Sequence, residues 1–150
     1  MIKLAVIGDP IAHSLSPDVH RAALEALDIP YAYEKVRVKK GELEAFLRYA
    51  KAEGLDGFNL TMPHKVDILP YLYGIDQEAE RYQSVNTVRI REGKLYGYNT
   101  DADGYLAALG MTGKRFRDSR VVILGAGGVV RTLALKAAWE GAREIRVLNR

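Results

Sequence analysis

Val121-Val122-Ile123-Leu124-Gly125-Ala126-Gly127-Gly128 decides the fold of the second half of this 150-residue chain. Four consecutive apolar residues followed at once by glycines predict a buried strand that ends in a tight turn. The segment Val129–Trp139 then indicates a helix, and Ile145–Leu148 indicates a further strand. A strand, a glycine-rich turn, a helix and a strand in this order form a βαβ unit, whose two strands are expected to pair in parallel.

The glycines of this unit point to a nucleotide ligand. Gly125, Gly127 and Gly128 let the backbone approach a pyrophosphate, whose negative charge suits the N-terminus of the helix. The pattern departs from G-x-G-x-x-G because Val130 stands at the third glycine position. The second strand ends in Asn149-Arg150, without the acidic residue that usually binds the ribose hydroxyls of NAD. An amide and a guanidinium suit a 2′-phosphate, so NADP is preferred; a surface arginine without a ligand is the alternative.

The composition is that of a globular protein, with 48% hydrophobic and 27% charged residues. The net charge is only +3, and basic residues are interspersed with acidic ones, so nucleic acid is not implied as a partner. The absence of cysteine excludes disulfides, thiol chemistry and cysteine-ligated metals. The apolar run near the start is too short for a signal peptide or a membrane span, so we expect a cytoplasmic protein. The histidines at positions 13, 20 and 64 lie in no familiar metal-ligand spacing, and we expect no metal site.

Strands and helices also alternate in the first half of the chain. The predicted strands are Leu4–Ile7, Tyr31–Val38 and Leu55–Leu60, and the predicted helices are Gly41–Glu53 and a segment that opens at Ser16-Pro17 with Ser16 as its N-cap. This alternation predicts parallel pairing with helices on both faces of the sheet.

A β-hairpin and a linker follow. Val85–Ile90 and Lys94–Tyr98 flank Arg91-Glu92-Gly93, which predicts a hairpin. Thr100–Leu109 is predicted to be a helix, and the polar segment Met111–Ser119 is predicted to be a linker. We therefore expect a domain boundary within residues 100–118.

Polar side chains gather at four places, each at or beside a predicted strand end. They are Ser14 with Ser16, Asn59 to Lys65, Asn86-Thr87, and Asn99-Thr100-Asp101. Ligands of open α/β sheets bind at strand ends, so the recurrence of polar clusters there predicts a binding site. Taken singly, each cluster has a structural alternative, because these residue types commonly cap helices and settle turns.

Lys65 and Asp101 are the candidates for moving a proton. Hydride transfer between a nicotinamide and a carbonyl requires that a proton be moved at the oxygen. Lys65 could act as an acid/base or as a fixed charge that stabilises the developing alkoxide, while a nearby carboxylate orients the amine and shares the substrate hydroxyl. The sequence leaves both roles of Lys65 open.

The motifs, in this order, resemble those of shikimate dehydrogenases. Gly8–Pro17 matches Gly-x-Pro-Ile-x-His-Ser-x-Ser-Pro, and Asn59–Lys65 matches Asn-x-Thr-x-Pro-x-Lys. Val85–Thr87 matches Val-Asn-Thr, and Asn99–Gly104 matches Asn-Thr-Asp-x-x-Gly. The glycine-rich turn, with Arg131 after it and Asn149-Arg150 further on, is similar to the family's NADP site. The resemblance extends from the first residue to the last.

The resemblance implies a fold and a reaction. The fold is α/β, with a mixed-sheet substrate-binding and catalytic domain over residues 1–100, a connecting helix and linker over 101–118, and the beginning of a Rossmann (doubly wound) NADP-binding domain over 119–150. The reaction is the reversible NADPH-dependent reduction of 3-dehydroshikimate to shikimate, an oxidoreductase step of aromatic amino-acid biosynthesis. A homodimer is among the assemblies that the resemblance allows.

The resemblance also implies roles for individual residues. Ser14 and Ser16 would hold the substrate carboxylate, while Asn59, Thr61, Asn86 and Asp101 would hold ring hydroxyls. Lys65 and Asp101 would be the catalytic pair, and Lys65 would also contact the substrate. The NADP(H) site would include Gly125, Ala126, Gly127, Gly128, Val129, Asn149 and Arg150.

Three features depart from the family's pattern. Gln83-Ser84 replaces the usual Gly-Ala before Val85, so the local turn and the pocket wall there are expected to differ from the family's. Arg21 replaces a common asparagine. Family members also run well past residue 150, so we expect an N-terminal portion of such an enzyme, inactive or nearly so by itself.

Two other functions are compatible with the sequence. A quinate/shikimate dehydrogenase that uses NAD is disfavoured by Asn149-Arg150. A catalytically silent ligand-binding or regulatory domain on the same scaffold is disfavoured by the presence of both Lys65 and Asp101.

Overall fold

A computed structural model describes all residues of the chain, Met1–Arg150. The chain forms two compact units, Met1–Tyr98 and Asn99–Arg150. The first unit contains a six-stranded sheet and the second a two-stranded sheet. No helix of either unit is long and apolar enough to cross a membrane.

The first unit alternates strands and helices and ends in a hairpin. Its strands are β1 (Ile2–Gly8), β2 (Tyr31–Arg37), β3 (Gly57–Leu60), β4 (Gly74–Ile75), β5 (Thr87–Arg91) and β6 (Lys94–Tyr98). Its helices are α1 (Ser16–Ala26), α2 (Leu43–Ala52), α3 (His64–Asp67) and α4 (Gln77–Tyr82), with a 3-10 turn at Leu69–Tyr71.

The sheet of the first unit is mixed, in the order β2-β1-β3-β5-β6-β4. β1 pairs in parallel with both β2 and β3, whereas β5 runs antiparallel to β3 and to β6. The mixed α/β fold is therefore confirmed, and the predicted parallel pairing holds for the first three strands, while β4 also pairs in parallel with β6. Because β5 is reversed, the start of β5 lies at the same edge as the ends of β1 and β3.

The hairpin between β5 and β6 forms where the sequence predicted it. Both turn residues have positive φ, at 52° for Glu92 and 71° for Gly93. Such a two-residue turn matches the twist of the flanking strands, and a glycine at its second position adopts positive φ without strain.

The core of the first unit lies between its sheet and the apolar side of α2 and α4. Phe46 of α2 packs edge-on against Phe58 of β3, with ring centroids 5.1 Å apart. Ala5 and Ile7 of β1 and Val85 are completely buried in the same cluster. This core holds the ends of β1 and β3 in fixed positions.

The structure corrects two sequence interpretations in this unit. Ser16 is the first residue of α1 and not its N-cap; Leu15 occupies the cap position, and its side chain makes no cap bond. The segment between Lys65 and Val85 contains β4, α4 and the 3-10 turn, none of which the sequence analysis identified. α4 does carry a local signal, because Asp76 Oδ1 accepts the Ala79 N–H at 2.7 Å as an N-cap.

The second unit consists of α5 (Asp101–Met111), β7 (Arg120–Leu124), α6 (Val130–Trp139) and β8 (Glu144–Leu148). β7 and β8 pair in parallel with Leu124 opposite Leu148, so the predicted βαβ unit is confirmed. Lys136 of α6 bonds Asp103 of α5 at 2.9 Å and ties the two helices together.

Candidate functional site

The ends of β1 and β3 are joined by backbone hydrogen bonds. Thr61 N–H donates to the Ile7 carbonyl at 2.9 Å, and Asp9 N–H donates to the Met62 carbonyl at 2.9 Å. Gly8 lies between these bonds, where an added Cβ would stand 2.4 Å from Thr61 Cγ2 and 2.9 Å from Met62 O. Only glycine therefore fits at residue 8, and the turn that carries Thr61 rests directly on it.

Lys65 stands in the first turn of α3, which is anchored on two sides. His64 is completely buried and its Nε2 lies 2.7 Å from the Val38 carbonyl, so Nε2 carries the proton and donates. The Lys65 carbonyl accepts the Val85 N–H at 2.8 Å. The backbone that carries the half-buried Lys65 side chain is thus fixed to the residue after β2 and to the segment before β5.

Asn59, Asn86 and Thr87 form a hydrogen-bonded group at this edge of the sheet. Asn59 Nδ2 donates to Thr87 Oγ1 at 3.0 Å and lies 3.4 Å from the Asn86 carbonyl. Thr87 Oγ1 in turn donates to Asn86 Oδ1 at 2.9 Å. Two of the polar clusters that the sequence singled out are therefore brought together.

Tyr33 joins this group from β2, and Ser14 and Ser16 form a second hydrogen-bonded pair. Its hydroxyl donates to Asn59 Oδ1 at 2.7 Å, although Tyr33 belongs to β2 and Asn59 to β3. Ser14 Oγ donates to Ser16 Oγ at 3.1 Å and also accepts the Ser16 N–H at 3.3 Å. Burial raises the pKa of Tyr33 to about 12, against the opposing effect of a hydrogen bond with Ser16. The Tyr33 hydroxyl therefore stays protonated at neutral pH.

His20 covers Tyr33 from helix α1. The two rings stack with centroids 4.7 Å apart and planes at 24°. His20 Nδ1 lies 2.8 Å from the Ser16 carbonyl, which can only accept, so Nδ1 carries the proton. The sequence patterns predict no role for Tyr33 or His20. His20 could have been identified as a site residue from the sequence, because it follows Ser16 by one helical turn. Tyr33 carries no such signal, because it resembles any aromatic residue of a strand.

In the second unit, Asp101 begins helix α5. Its N–H donates to Oδ1 of the buried Asn99 at 3.0 Å. Thr100 is the N-cap residue but makes no side-chain cap bond, and the Asn99 side chain accepts the first N–H of the helix instead. The Asp101 carboxylate is half-buried in the first turn, where the helix dipole favours a negative charge.

The glycine-rich turn links β7 to α6 as predicted. Gly125 has a φ of 101°, which a side chain would strain, and its N–H donates to the Leu148 carbonyl at 2.7 Å. An open concavity of about 500 Å³ is lined by Leu124, Gly125, Leu148, Asn149 and Arg150. No atom lies within 4 Å of the Cβ positions of Gly127 and Gly128, and α6 begins at Val130 without a side-chain cap. The turn thus offers open space and uncapped helix N–H groups.

The structure contains no cluster of three or more histidine, cysteine, aspartate or glutamate side chains suited to a metal ion. In the first unit, hydroxyls and amides from three segments converge with a lysine at one edge of the sheet. Such a surface can hold a ligand that carries several hydroxyl groups and can supply a positive charge beside it.

Comparison with known proteins gives a consistent result. The family model for the shikimate dehydrogenase substrate binding domain matches residues 6–88. The shikimate dehydrogenase (NADP(+)) of Bacillus cereus (strain ATCC 10987 / NRS 248) is 45% identical over 146 residues, which is 97% of this chain and 53% of that protein. The chain spans about half the length of the curated relatives it matches.

Two solved structures are similar over nearly the whole chain. The shikimate 5-dehydrogenase of Thermus thermophilus, in complex with NADP(H) and shikimate, is 39% identical with a TM-score of 0.91, covering 100% of this chain and 56% of that one. The ligand-free 5-ketofructose reductase of Gluconobacter sp. strain CHM43 is 38% identical with a TM-score of 0.86, covering 99% of this chain and 53% of that one.

Proposed function

Since the chain belongs to the family of shikimate dehydrogenase substrate-binding domains, we propose that the protein carrying it is an NADP-dependent shikimate dehydrogenase. The reaction is the reversible reduction of 3-dehydroshikimate to shikimate, a step of aromatic amino-acid biosynthesis. The observation that carries this proposal is the bonded pair of Asn59 and Asn86, to which Tyr33 and His20 link the Ser14–Ser16 pair, at the edge where Lys65 also stands. A small ring that carries a carboxylate and several hydroxyls is the kind of ligand that such a group recognises.

The proposed substrate contacts are of two kinds, those to the carboxylate and those to the ring hydroxyls. Ser14 and Ser16 present hydroxyls to the carboxylate, and their separation is fixed because they bond each other at 3.1 Å. Asn59, Thr61 and Asn86 present amides and a hydroxyl to the ring hydroxyls. The backbone bonds between Ile7 and Thr61 and between Lys65 and Val85 hold these side chains on one rigid edge. That rigidity lowers the cost of ordering the site when the substrate binds.

Lys65 and Asp101 are the proposed catalytic residues. When shikimate is oxidised, the hydroxyl that becomes a carbonyl loses its proton while its carbon loses a hydride. Lys65 acts at that oxygen, either by taking the proton or by holding positive charge beside the developing alkoxide. Asp101, the second member of the proposed pair, accepts a hydrogen bond from a substrate hydroxyl. Asp101 also serves among the residues that bind the ring hydroxyls.

NADP, when bound, supplies and removes the hydride. The residues proposed to hold it are Gly125, Ala126, Gly127, Gly128, Val129, Asn149 and Arg150. The open concavity at the ends of β7 and β8, the uncapped start of α6 and the exposed guanidinium of Arg150 fit a phosphorylated dinucleotide. Asn149, and not an acidic residue, stands directly after β8, which favours NADP over NAD.

The domain assignment is part of the same proposal. Residues 1–100 would form the substrate-binding domain, and residues 119–150 would begin the NADP-binding domain. Residues 101–118 would connect these two domains. We place the enzyme in the cytoplasm, acting on a small molecule and not on nucleic acid. Sedimentation of the purified protein would decide between a monomer and the homodimer that the family resemblance allows.

The test is a rate measurement with matched substrates. The protein should reduce NADP with shikimate much faster than it reduces NAD with quinate at equal concentrations. Quinate with NAD as the preferred pair would favour the quinate/shikimate alternative. Reduction of 5-ketofructose in preference to 3-dehydroshikimate would replace the proposed substrate, and shikimate binding without turnover would favour a silent binding domain.

A further inference from the structure

The hydrogen bonds around Asn59 leave only one arrangement of its amide. The Asn86 backbone carbonyl faces Asn59 at 3.4 Å and can only accept, so the Asn59 atom that faces it is the nitrogen. The second hydrogen on that nitrogen is given to Thr87 Oγ1 at 3.0 Å. Both amide hydrogens of Asn59 are therefore used within the protein, and its oxygen is turned to the opposite side.

Tyr33 meets that oxygen. Its hydroxyl lies 2.7 Å from Asn59 Oδ1, and because Oδ1 has no proton, Tyr33 must be the donor. Burial keeps the pKa of Tyr33 at about 12, so the proton is present throughout the physiological range. The Thr87 proton is directed onward to Asn86 Oδ1 at 2.9 Å. The donors thus run in one direction, from Tyr33 through Asn59 and Thr87 to Asn86.

We propose that Tyr33 is a positioning residue of the substrate site, which fixes Asn59 as a hydrogen-bond acceptor toward the ligand. This inference rests on the proposed function, in which Asn59 contacts a ring hydroxyl. With both hydrogens committed, Asn59 has only the second lone pair of Oδ1 to offer. The group on the ligand that meets Asn59 must therefore donate, as a hydroxyl does and as a carbonyl or an ether does not.

Tyr33 is itself held by the ring of His20, which makes it suited to this task. His20 stacks on its ring at 4.7 Å, and the stacking fixes the direction of the phenol. His20 Nδ1 also donates to the Ser16 carbonyl at 2.8 Å, so His20 links Tyr33 to the serine pair proposed for the carboxylate. Tyr33 and His20 together thereby connect the part of the site that binds the carboxylate with the part that binds hydroxyls.

The experiment uses Tyr33→Phe in the protein that carries this chain. Phenylalanine keeps the ring on His20 and removes only the donor, so folding is retained, which a thermal melt checks. We expect KM for shikimate to rise by about two- to tenfold, the effect of losing one neutral hydrogen bond. We expect kcat and KM for NADP to change by less than about twofold, because Tyr33 acts on substrate binding.

The matched control is Tyr31→Phe. Tyr31 stands two residues earlier in β2, and its hydroxyl bonds the exposed Glu25 at 3.3 Å, away from the site. This substitution should leave every kinetic constant unchanged. A double-mutant cycle then tests whether Tyr33 acts through Asn59: in an Asn59→Ala background, Tyr33→Phe should no longer weaken shikimate binding in a calorimetric titration.

The outcomes separate this inference from the proposed function. If Tyr33→Phe leaves KM for shikimate unchanged, or weakens binding equally with and without Asn59, the inference is overturned while the enzyme's activity stands. If the unsubstituted protein neither binds nor oxidises shikimate, the proposed function is overturned and the role of Tyr33 with it.

Discussion

Gly8→Ala tests whether the contact between β1 and the turn that leads to Lys65 matters for function. The added methyl carbon would lie 2.4 Å from Thr61 Cγ2 and 2.9 Å from the Met62 carbonyl oxygen. Carbon atoms in contact normally sit about 3.5–4.0 Å apart, so the turn must move away by about 1 Å. The hydrogen bonds from Thr61 to Ile7 and from Asp9 to Met62, both at 2.9 Å, oppose that movement.

The expected cost has two components. Overpacking of this kind lowers the free energy of unfolding by about 1–3 kcal/mol, which a denaturant titration measures. The displaced turn carries Thr61 and Lys65, and a misplacement of about 1 Å can lower kcat/KM by about 100-fold. We therefore expect kcat/KM for shikimate to fall by more than the loss of stability alone would suggest.

Two further variants sharpen this test. Adding Thr61→Ser to Gly8→Ala removes the Cγ2 methyl but keeps the hydroxyl, and it should restore part of both the stability and the activity. Gly110→Ala is the control, because no atom lies within 4 Å of its added Cβ and it sits inside α5; stability should rise by up to about 1 kcal/mol. If Gly8→Ala retains parental stability and kcat/KM, the close approach at Gly8 does not position the turn.

Three other predictions follow from single contacts. Thr132→Val should raise the free energy of unfolding by about 1 kcal/mol, because Thr132 Oγ1 is buried without a hydrogen-bond partner; a lower melting temperature would contradict this. Arg150→Ala should raise KM for NADP about tenfold or more while KM for NAD changes little, and equal effects on both cofactors would remove the proposed 2′-phosphate contact. The pKa of Tyr33 is raised from 10.0 to about 12, so the unfolded chain ionises at this residue before the folded protein does. The stability that Tyr33 contributes is complete below pH 10 and is lost as the pH rises toward 12. Tyr33→Phe should make the melting temperature fall less steeply between pH 10 and 12. The same dependence of melting temperature on pH in both proteins would contradict a raised pKa for Tyr33.

Elements with strong local signals were predictable from the sequence. The apolar run of β1, the hairpin turn at Glu92-Gly93 and the βαβ unit around Gly125 all depend on neighbouring residues. The hairpin needs positive φ at both turn positions, and the sequence has glycine at the second. These features lie where the patterns predicted them, with ends shifted by only a few residues.

The elements that were missed depend on contacts distant in sequence. β4 has only two residues, too few for any periodicity, and it exists because Gly74 and Ile75 pair with Tyr96 and Gly97 of β6. The reversal of β5 is likewise decided by its pairing with β3, which the alternation of strands and helices does not reveal. α4 was the avoidable omission, since Asp76 before a run of helix-forming residues is a cap signal.

The candidate site shows the same division. Residues in motifs, such as Asn59 and Lys65, stood out because polar side chains are concentrated there. Tyr33 did not stand out, because its role comes from one hydrogen bond across the sheet to a residue 26 positions away. The Ser16 cap was wrong because the chain turns one residue earlier than the Ser-Pro pattern suggests, with Leu15 at the cap position.

The central proposal is that Lys65 acts at the reacting oxygen of shikimate, by taking its proton or by stabilising its developing charge, and one measurement tests it most directly. The rate of NADP reduction by saturating shikimate should be compared between the parent protein and Lys65→Met, which keeps the approximate length of the side chain and removes its charge. We expect kcat to fall by about 100-fold or more, the contribution of a positioned acid/base group, with the melting temperature unchanged. A folded Lys65→Met variant that retains the parental kcat would contradict the account.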